Sequence, residues 1–236
     1  MNRQTPGGLS LLKAACLTAA FTAASALASN AQEIWRFDQT ASLGGHPTKV
    51  LGTPKVIETP LGKAVAFNGV DDALFVNVHP LAGAATWTWE MIFKPDPDGK
   101  PAQRIFHLQS VDAATGADIA NERMLFEIRI VSGQWCLDSF VTAGGQSRTL
   151  LNCEKLHPFG KWYRVTAVYD GKMLHNYVGD ELQGEGDLQL RPELPGRASV
   201  GTRIDLRDYY KGAMYEARFT RRALDVKDFL KLPPSQ

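Results

Sequence analysis

The stretch MLFEIRI, residues 124–130, puts Met124, Phe126, Ile128 and Ile130 on one side of an extended chain and Leu125, Glu127 and Arg129 on the other. Successive side chains of a strand point to opposite faces, so this alternation describes a strand with one buried and one partly polar face. The same pattern recurs in KAVAFNG, ALFVNV, WTWEMIFK, RIFHLQ, WYRVTAVYDG, MLHNYVGD, ASVGT and GAMYEARF, with Gly, Asn, Asp and Pro between the segments. Helical periodicity is nearly absent. The exception is LDVKDFLK, where Asp225 can cap a short terminal helix and Asp228 sits three residues on. The predicted class is all-β: two antiparallel sheets packed as a sandwich, with one short C-terminal helix.

The first residues follow a different rule. Arg3 and Lys13 give a basic start, AACLTAAFTAASALA is small and apolar, and ALASNA offers small-residue cleavage sites. This is the grammar of a secretory signal peptide. Cleavage after Ala28 or Ala31 fits; Ala31 makes residues 1–31 the signal and 32–236 a single domain. Cys16 leaves with the signal, and KAAC is a poor lipoprotein box because Lys13 stands where an aliphatic residue is wanted. No later stretch is long and apolar enough to span a membrane. The remaining chain carries a formal charge of −1, which gives no electrostatic case for nucleic acid or an anionic membrane. The expected location is secreted or periplasmic.

Export leaves Cys136 and Cys153, equidistant from the pair Gly144-Gly145. In a two-residue hairpin turn the two glycines meet the positive φ demand, and the two cysteines face each other as a non-hydrogen-bonded pair. A disulfide there stabilises by roughly 3 kcal/mol in the chain-entropy model. An oxidising compartment favours the bridge over two free thiols.

Several motifs in order resemble a known family. GKWYRVTAVYDG followed by LHNYVGD is similar to the Trp…Val…Tyr-Asp-Gly…Tyr-Val-Asp-Gly segment of laminin-G-like, concanavalin-A-like jelly rolls. LGKAVAFNGVDDALFVNV resembles their Gly-x-Ala…Phe-x-Gly-x-Asp-Asp strand pair, TWTWEMIFKPD their Thr-aromatic strand, and KGAMYEARFTRRALDVKDF their closing strand and helix. The resemblance runs from Glu33 to about Leu230. Tyr215 stands where the family often has Asp, and Gly179-Asp180 reverses the usual Asp-Gly turn. The resemblance implies two packed sheets, one of them concave. It does not imply one activity, since this fold hosts lectins, adhesion modules, glycosidases and lyases.

Two candidate sites follow. In NGVDD, Asp71, Asp72 and a turn carbonyl would supply part of a calcium shell; the alternative is an Asn-Gly turn whose Asp72 accepts backbone N–H bonds. Tyr215 in place of Asp favours that alternative, and no other cofactor is indicated. The second candidate is an outward groove. Strand parity sends His107 and Gln109, Glu127 and Arg129, and His175 and Tyr177 away from the core. If their strands lie side by side, these residues line one cleft suited to a sugar, with the Tyr ring packing on it and Arg pairing a carboxylate. The same set would suit proton abstraction beside a uronate, with Arg129 neutralising the acid and Tyr177 or a His as base and acid. Alginate-lyase jelly rolls use such a set, although their strand motifs are missing here. Trp135 is the remaining candidate platform; Trp35, Trp87, Trp89 and Trp162 read as core, and Asn176 falls on the core face. No Glu-x-Asp-x-Glu strand, His-Glu-x-x-His, Gly-x-Ser-x-Gly or phosphate loop is present. The favoured reading is a non-catalytic glycan-binding or adhesion domain whose partner is a polysaccharide or glycoconjugate. The alternatives are a uronate lyase and a structural envelope protein.

Overall fold

The computed structural model describes Met1 and residues 32–232; the expected signal segment otherwise lies outside the described residues. The chain opens with β1 (Gln32–Arg36), β2 (Ser42–Leu43), β3 (His46–Leu51), β4 (Lys55–Thr59), β5 (Gly62–Asn68) and β6 (Ala73–Val76). The long strands follow: β7 (Trp87–Pro95), β8 (Ala102–Val111), β9 (Asp118–Val131), β10 (Gln134–Ala143) and β11 (Gln146–Leu151). It closes with β12 (Tyr163–Tyr169), β13 (Met173–Val178), β14 (Glu181–Asp187), β15 (Gly196–Val200) and β16 (Lys211–Thr220). They form two antiparallel sheets. The first has the order β14-β13-β12-β7-β16-β5-β4, with β1 also paired to β16. The second has the order β11-β10-β9-β8-β15-β6-β3-β2.

The alternation that defines the strands also builds the core. Met124, Phe126 and Ile128 of the second sheet and Trp87, Trp89, Met91 and Phe93 of the first belong to one buried cluster. Trp89 meets Phe126 at 4.2 Å and Phe106 at 5.2 Å between ring centroids. Burying each such aromatic contributes on the order of 2 kcal/mol. One polar side chain crosses this apolar layer. Asn176 of β13 donates through Nδ2 to Ser139 Oγ (3.1 Å) and the Leu150 carbonyl (3.2 Å) of the other sheet. Its Nδ2 is thereby satisfied, while its buried Oδ1 has no hydrogen-bond partner among the described residues.

Gly144 and Gly145 sit at φ 60° and 79°, as a two-residue turn requires. The ladder runs from Ala143–Gln146 out to Asp138–Leu151, in the register the sequence predicts. Beyond it Cys136 and Cys153 are bonded, with Cα atoms 5.1 Å apart.

Two expectations change. The terminal helix is a single 3₁₀ turn, Val226–Asp228, and the Asp225 side chain makes no cap bond. The backbone groups that flank it are taken by the outer face of the first sheet. Leu224 N–H donates to Thr88 Oγ1 (2.9 Å), Leu230 N–H to Glu90 Oε1 (2.6 Å), and Arg164 Nη1 to the Leu230 carbonyl (2.6 Å). Leu224, Phe229 and Val168 form a second small buried cluster beneath this strap. Trp162 is half-buried rather than core, because it precedes β12 and meets the half-buried Tyr215 instead of the interior.

Candidate functional site

The outer face of the second sheet follows from parity. Leu74, Val76, Leu108, Phe126 and Val200 point into the core. Phe75, Ser199, His107 and Leu125 therefore point outward, and the ladders set them in one row across β6, β15, β8 and β9. Lys49 of β3 extends the row beside Phe75. A neighbouring row holds Arg197, Gln109 and Arg123, and a third holds Arg104, Glu127 and Asp138.

The connection 201–210, from β15 to β16, lies across this face. Ile204 N–H donates to His107 Nδ1 (3.0 Å), Arg104 N–H to the Asp208 carbonyl (2.8 Å), and Ser199 Oγ to the Thr202 carbonyl (2.7 Å). Leu206 and Asp208 adopt φ 62° and 56°. The left-handed region costs a non-glycine residue about 1–2 kcal/mol. Leu206 is also half exposed. Between this loop and β3, β6 and β15 lies a recess of about 320 Å³. Its walls include Pro47, Phe75, Ile204 and Leu206, with Lys49 and Arg197 at the same opening. A half-buried aromatic with adjoining aliphatics suits the apolar face of a sugar ring, and the cations suit its polar substituents.

The residues expected to form one groove do not meet. His107, Gln109, Glu127 and Arg129 are on β8 and β9, whereas His175 and Tyr177 are on β13 of the other sheet. Tyr177 packs edge-on to Phe229 at 5.3 Å, and His175 approaches Glu185 at 3.4 Å. Parity sorted inward from outward correctly, but it carries no information on which sheet a strand joins. Trp135 is fully buried, edge-on to Phe93 and Tyr163, so it is no exposed platform. It shares parity with Leu137 and Val141, both core residues.

On the second sheet the predicted polar residues are committed to structure. Because the Ile204 amide is a donor, His107 accepts at Nδ1 and carries its proton at Nε2. Burial, with Arg203 and Arg123 nearby, pushes its pKa down to about 3. Gln109 Nε2 serves the carbonyls of Ser110, Ile119 and Glu122. Arg129 Nη2 binds Glu127 Oε2 (2.9 Å) and Asp138 Oδ2 (2.6 Å), while Arg104 Nε meets Glu127 Oε1 (2.7 Å). Burial and the adjacent Asp138 push Glu127 up to about 7.

Asp72 is likewise committed. Its Oδ1 accepts from Thr53 N–H (2.7 Å) and its Oδ2 from Asn68 N–H (3.0 Å), while Asp71 Oδ1 accepts from Asn68 Nδ2 (2.8 Å). These are the backbone bonds of the turn alternative. Among the described residues no three His, Cys, Asp or Glu side chains gather as a metal site.

The sequence reading missed Lys49, Phe75, Ile204 and Leu206. Two signals were available: Phe75 is an aromatic at outward parity in ALFV, and Leu206 is a lone leucine inside RIDLRD.

A family described as the concanavalin A-like lectin/glucanases superfamily matches residues 68–228. No curated protein matches the chain. Among solved structures, one similar fold is domain 4 of an extracellular arabinanase from Geobacillus stearothermophilus, in complex with arabinotriose. Its TM-score is 0.60 at 16% identity, over 83% of this chain and 94% of that one. The ligand-binding domain of botulinum neurotoxin serotype D with N-acetylneuraminic acid has a TM-score of 0.56 at 12% identity, over 83% of this chain and 48% of its own. The Trypanosoma rangeli sialidase with 2,3-difluorosialic acid gives 0.58 at 12%, over 84% and 32%. The chain thus spans about half of the toxin domain and a third of the sialidase. At these identities the likeness is one of fold.

Proposed function

The chain belongs to the concanavalin A-like lectin/glucanase superfamily, and from that premise we propose that it is an exported, non-catalytic domain that binds a glycan in the recess of its second sheet. The observation that carries this reading is the recess itself. An apolar wall with a half-buried phenyl ring lies beside two cations, and the loop closing it is held in a costly backbone conformation. Strain of this kind concentrates at binding sites. The three solved neighbours hold sugars in their complexes, which is consistent in kind. The signal-like leader and the Cys136–Cys153 bridge support export.

A lyase reading has less support. Its acid, base and neutralising groups belong to two different sheets, and Arg129 is already paired with Glu127 and Asp138. The test is titration of the purified protein against a polysaccharide panel while following absorbance of unsaturated product. Binding without turnover, weakened about tenfold by Phe75→Ala at an unchanged melting temperature, is the expected result. Product formation would replace this reading with the lyase; no binding to any glycan would leave the envelope role.

A further inference from the structure

The charge around the recess is lopsided. Lys49 and Arg197 are the charged residues on the recess wall, and no carboxylate is among the described residues that line it. Asp118 is used by Arg197 in a two-point pair, at 2.8 and 2.6 Å. Asp205 is shared, with Arg207 at 2.6 Å and Arg203 at 3.5 Å. Asp208, further along the loop, faces Arg104 at 3.4 Å. Arg123 has no carboxylate partner among the described residues; it donates to the Ala120 carbonyl and lies 5.0 Å over the Phe140 ring. Lys49 makes no ion pair among the described residues and is exposed. An anion bound beside Lys49 meets a cation for which no carboxylate among the described residues competes. His107 remains neutral, so it adds no positive charge to this face.

We propose that the recess takes an acidic sugar residue, its carboxylate or sulfate drawn to Lys49, its apolar ring face laid on Phe75. The inference rests on the glycan-binding reading above and narrows it to a ligand class. Arg197 is held by Asp118 and shapes the wall. Lys49, a flexible point charge, supplies the attraction without demanding planar geometry.

The test is calorimetric titration of the whole protein with three oligosaccharide sets of matched length: oligouronates, sulfated oligomers and neutral oligomers. At least one acidic set binds about tenfold or more tightly than the neutral one, and the advantage shrinks when salt rises from about 0.05 to 0.5 M. Lys49→Gln lowers the acidic affinity about tenfold while Lys49→Arg retains it, with melting temperature unchanged in both. Preference between the two acidic sets identifies carboxylate or sulfate as the recognised group. Equal binding of neutral and acidic oligomers, or indifference to Lys49→Gln, overturns the acidic class and leaves glycan binding standing. No binding to any of the three sets removes both.

Discussion

The two outer faces of the sandwich are finished in opposite ways. The first sheet is closed by the C-terminal strap, whose backbone is hydrogen-bonded to Thr88, Glu90 and Arg164 and whose Leu224 and Phe229 lie on Val168. The second sheet is crossed by a loop that leaves a recess, carries two strained non-glycine residues and exposes a leucine. Both coverings are held by side chains reaching up from the sheet. Only one of them leaves a recess beside it, and that is where a ligand has room to bind.

The widest separation between the faces should appear on removing Glu90. It is fully buried, accepts from Arg218 Nε at 2.5 Å and from the Leu230 amide. Glu90→Ala strands Arg218 and frees the strap, at a cost of roughly 3–5 kcal/mol. The melting temperature falls by about 10 °C or more, while ligand titration at low temperature is unaffected. A melt within about 2 °C of wild type would mean the strap is not fastened there.

Opening the Cys136–Cys153 bridge acts on the second sheet. Its 17-residue separation corresponds to roughly 3 kcal/mol in the chain-entropy model, and a thermal melt with and without reductant reads it directly. A comparable loss for both perturbations would show the two faces to be equally dependent on side-chain staples.

The third test uses pH. Burial, opposed by the Ser110 hydroxyl and Arg191, pushes Glu193 up to about 7. A carboxyl whose folded pKa is raised binds its proton more tightly in the folded chain. Its stabilising contribution is complete below about pH 4.5 and is lost as pH rises to about 7. That amounts to about 3 kcal/mol across the window. Buried His79 and His107 run the other way: their pKa values are lowered to about 4 and 3, so acidification below about pH 6.5 removes stability. Comparing Glu193→Gln with wild type at pH 5 and pH 8 isolates the carboxyl. The variant gains relative stability at pH 8, and a pH-independent difference would contradict the assignment.

The smallest effect is the most telling for the contrast. Leu206→Gly relieves the left-handed strain at φ 62° and stabilises by up to about 1 kcal/mol, yet removes an apolar wall of the recess. A higher melting temperature together with weaker glycan binding is the expected pair of results. If both rise, or both fall, the loop is not tuned for a ligand.

The sandwich was legible because period-two alternation is a local property. MLFEIRI and TWTWEMIF announce their inward faces whatever their neighbours. Sheet membership is not local. His107 and Tyr177 both point outward, but β8 and β13 belong to different sheets, and nothing within either strand records that. Weak strands were also missed: ELQGEGD of β14 has one aliphatic side chain and two glycines, and pairing to β13 makes it a strand. The terminal helix failed for a related reason. Its capping pattern is genuine in sequence, but Glu90 and Arg164, more than 60 residues away, take the Leu230 N–H and carbonyl that a longer helix would use. The recess combines all these difficulties, since Lys49, Phe75 and Leu206 come from three separate parts of the chain.

The route of the chain has a practical consequence. β1 pairs with β16, and the strap that follows β16 lies on that same sheet. The earliest described strand and the last described residues therefore both sit in the layer remote from Phe75. A sensor chip, bead or fluorescent fusion attached through either end would leave the opposite layer presented to the medium.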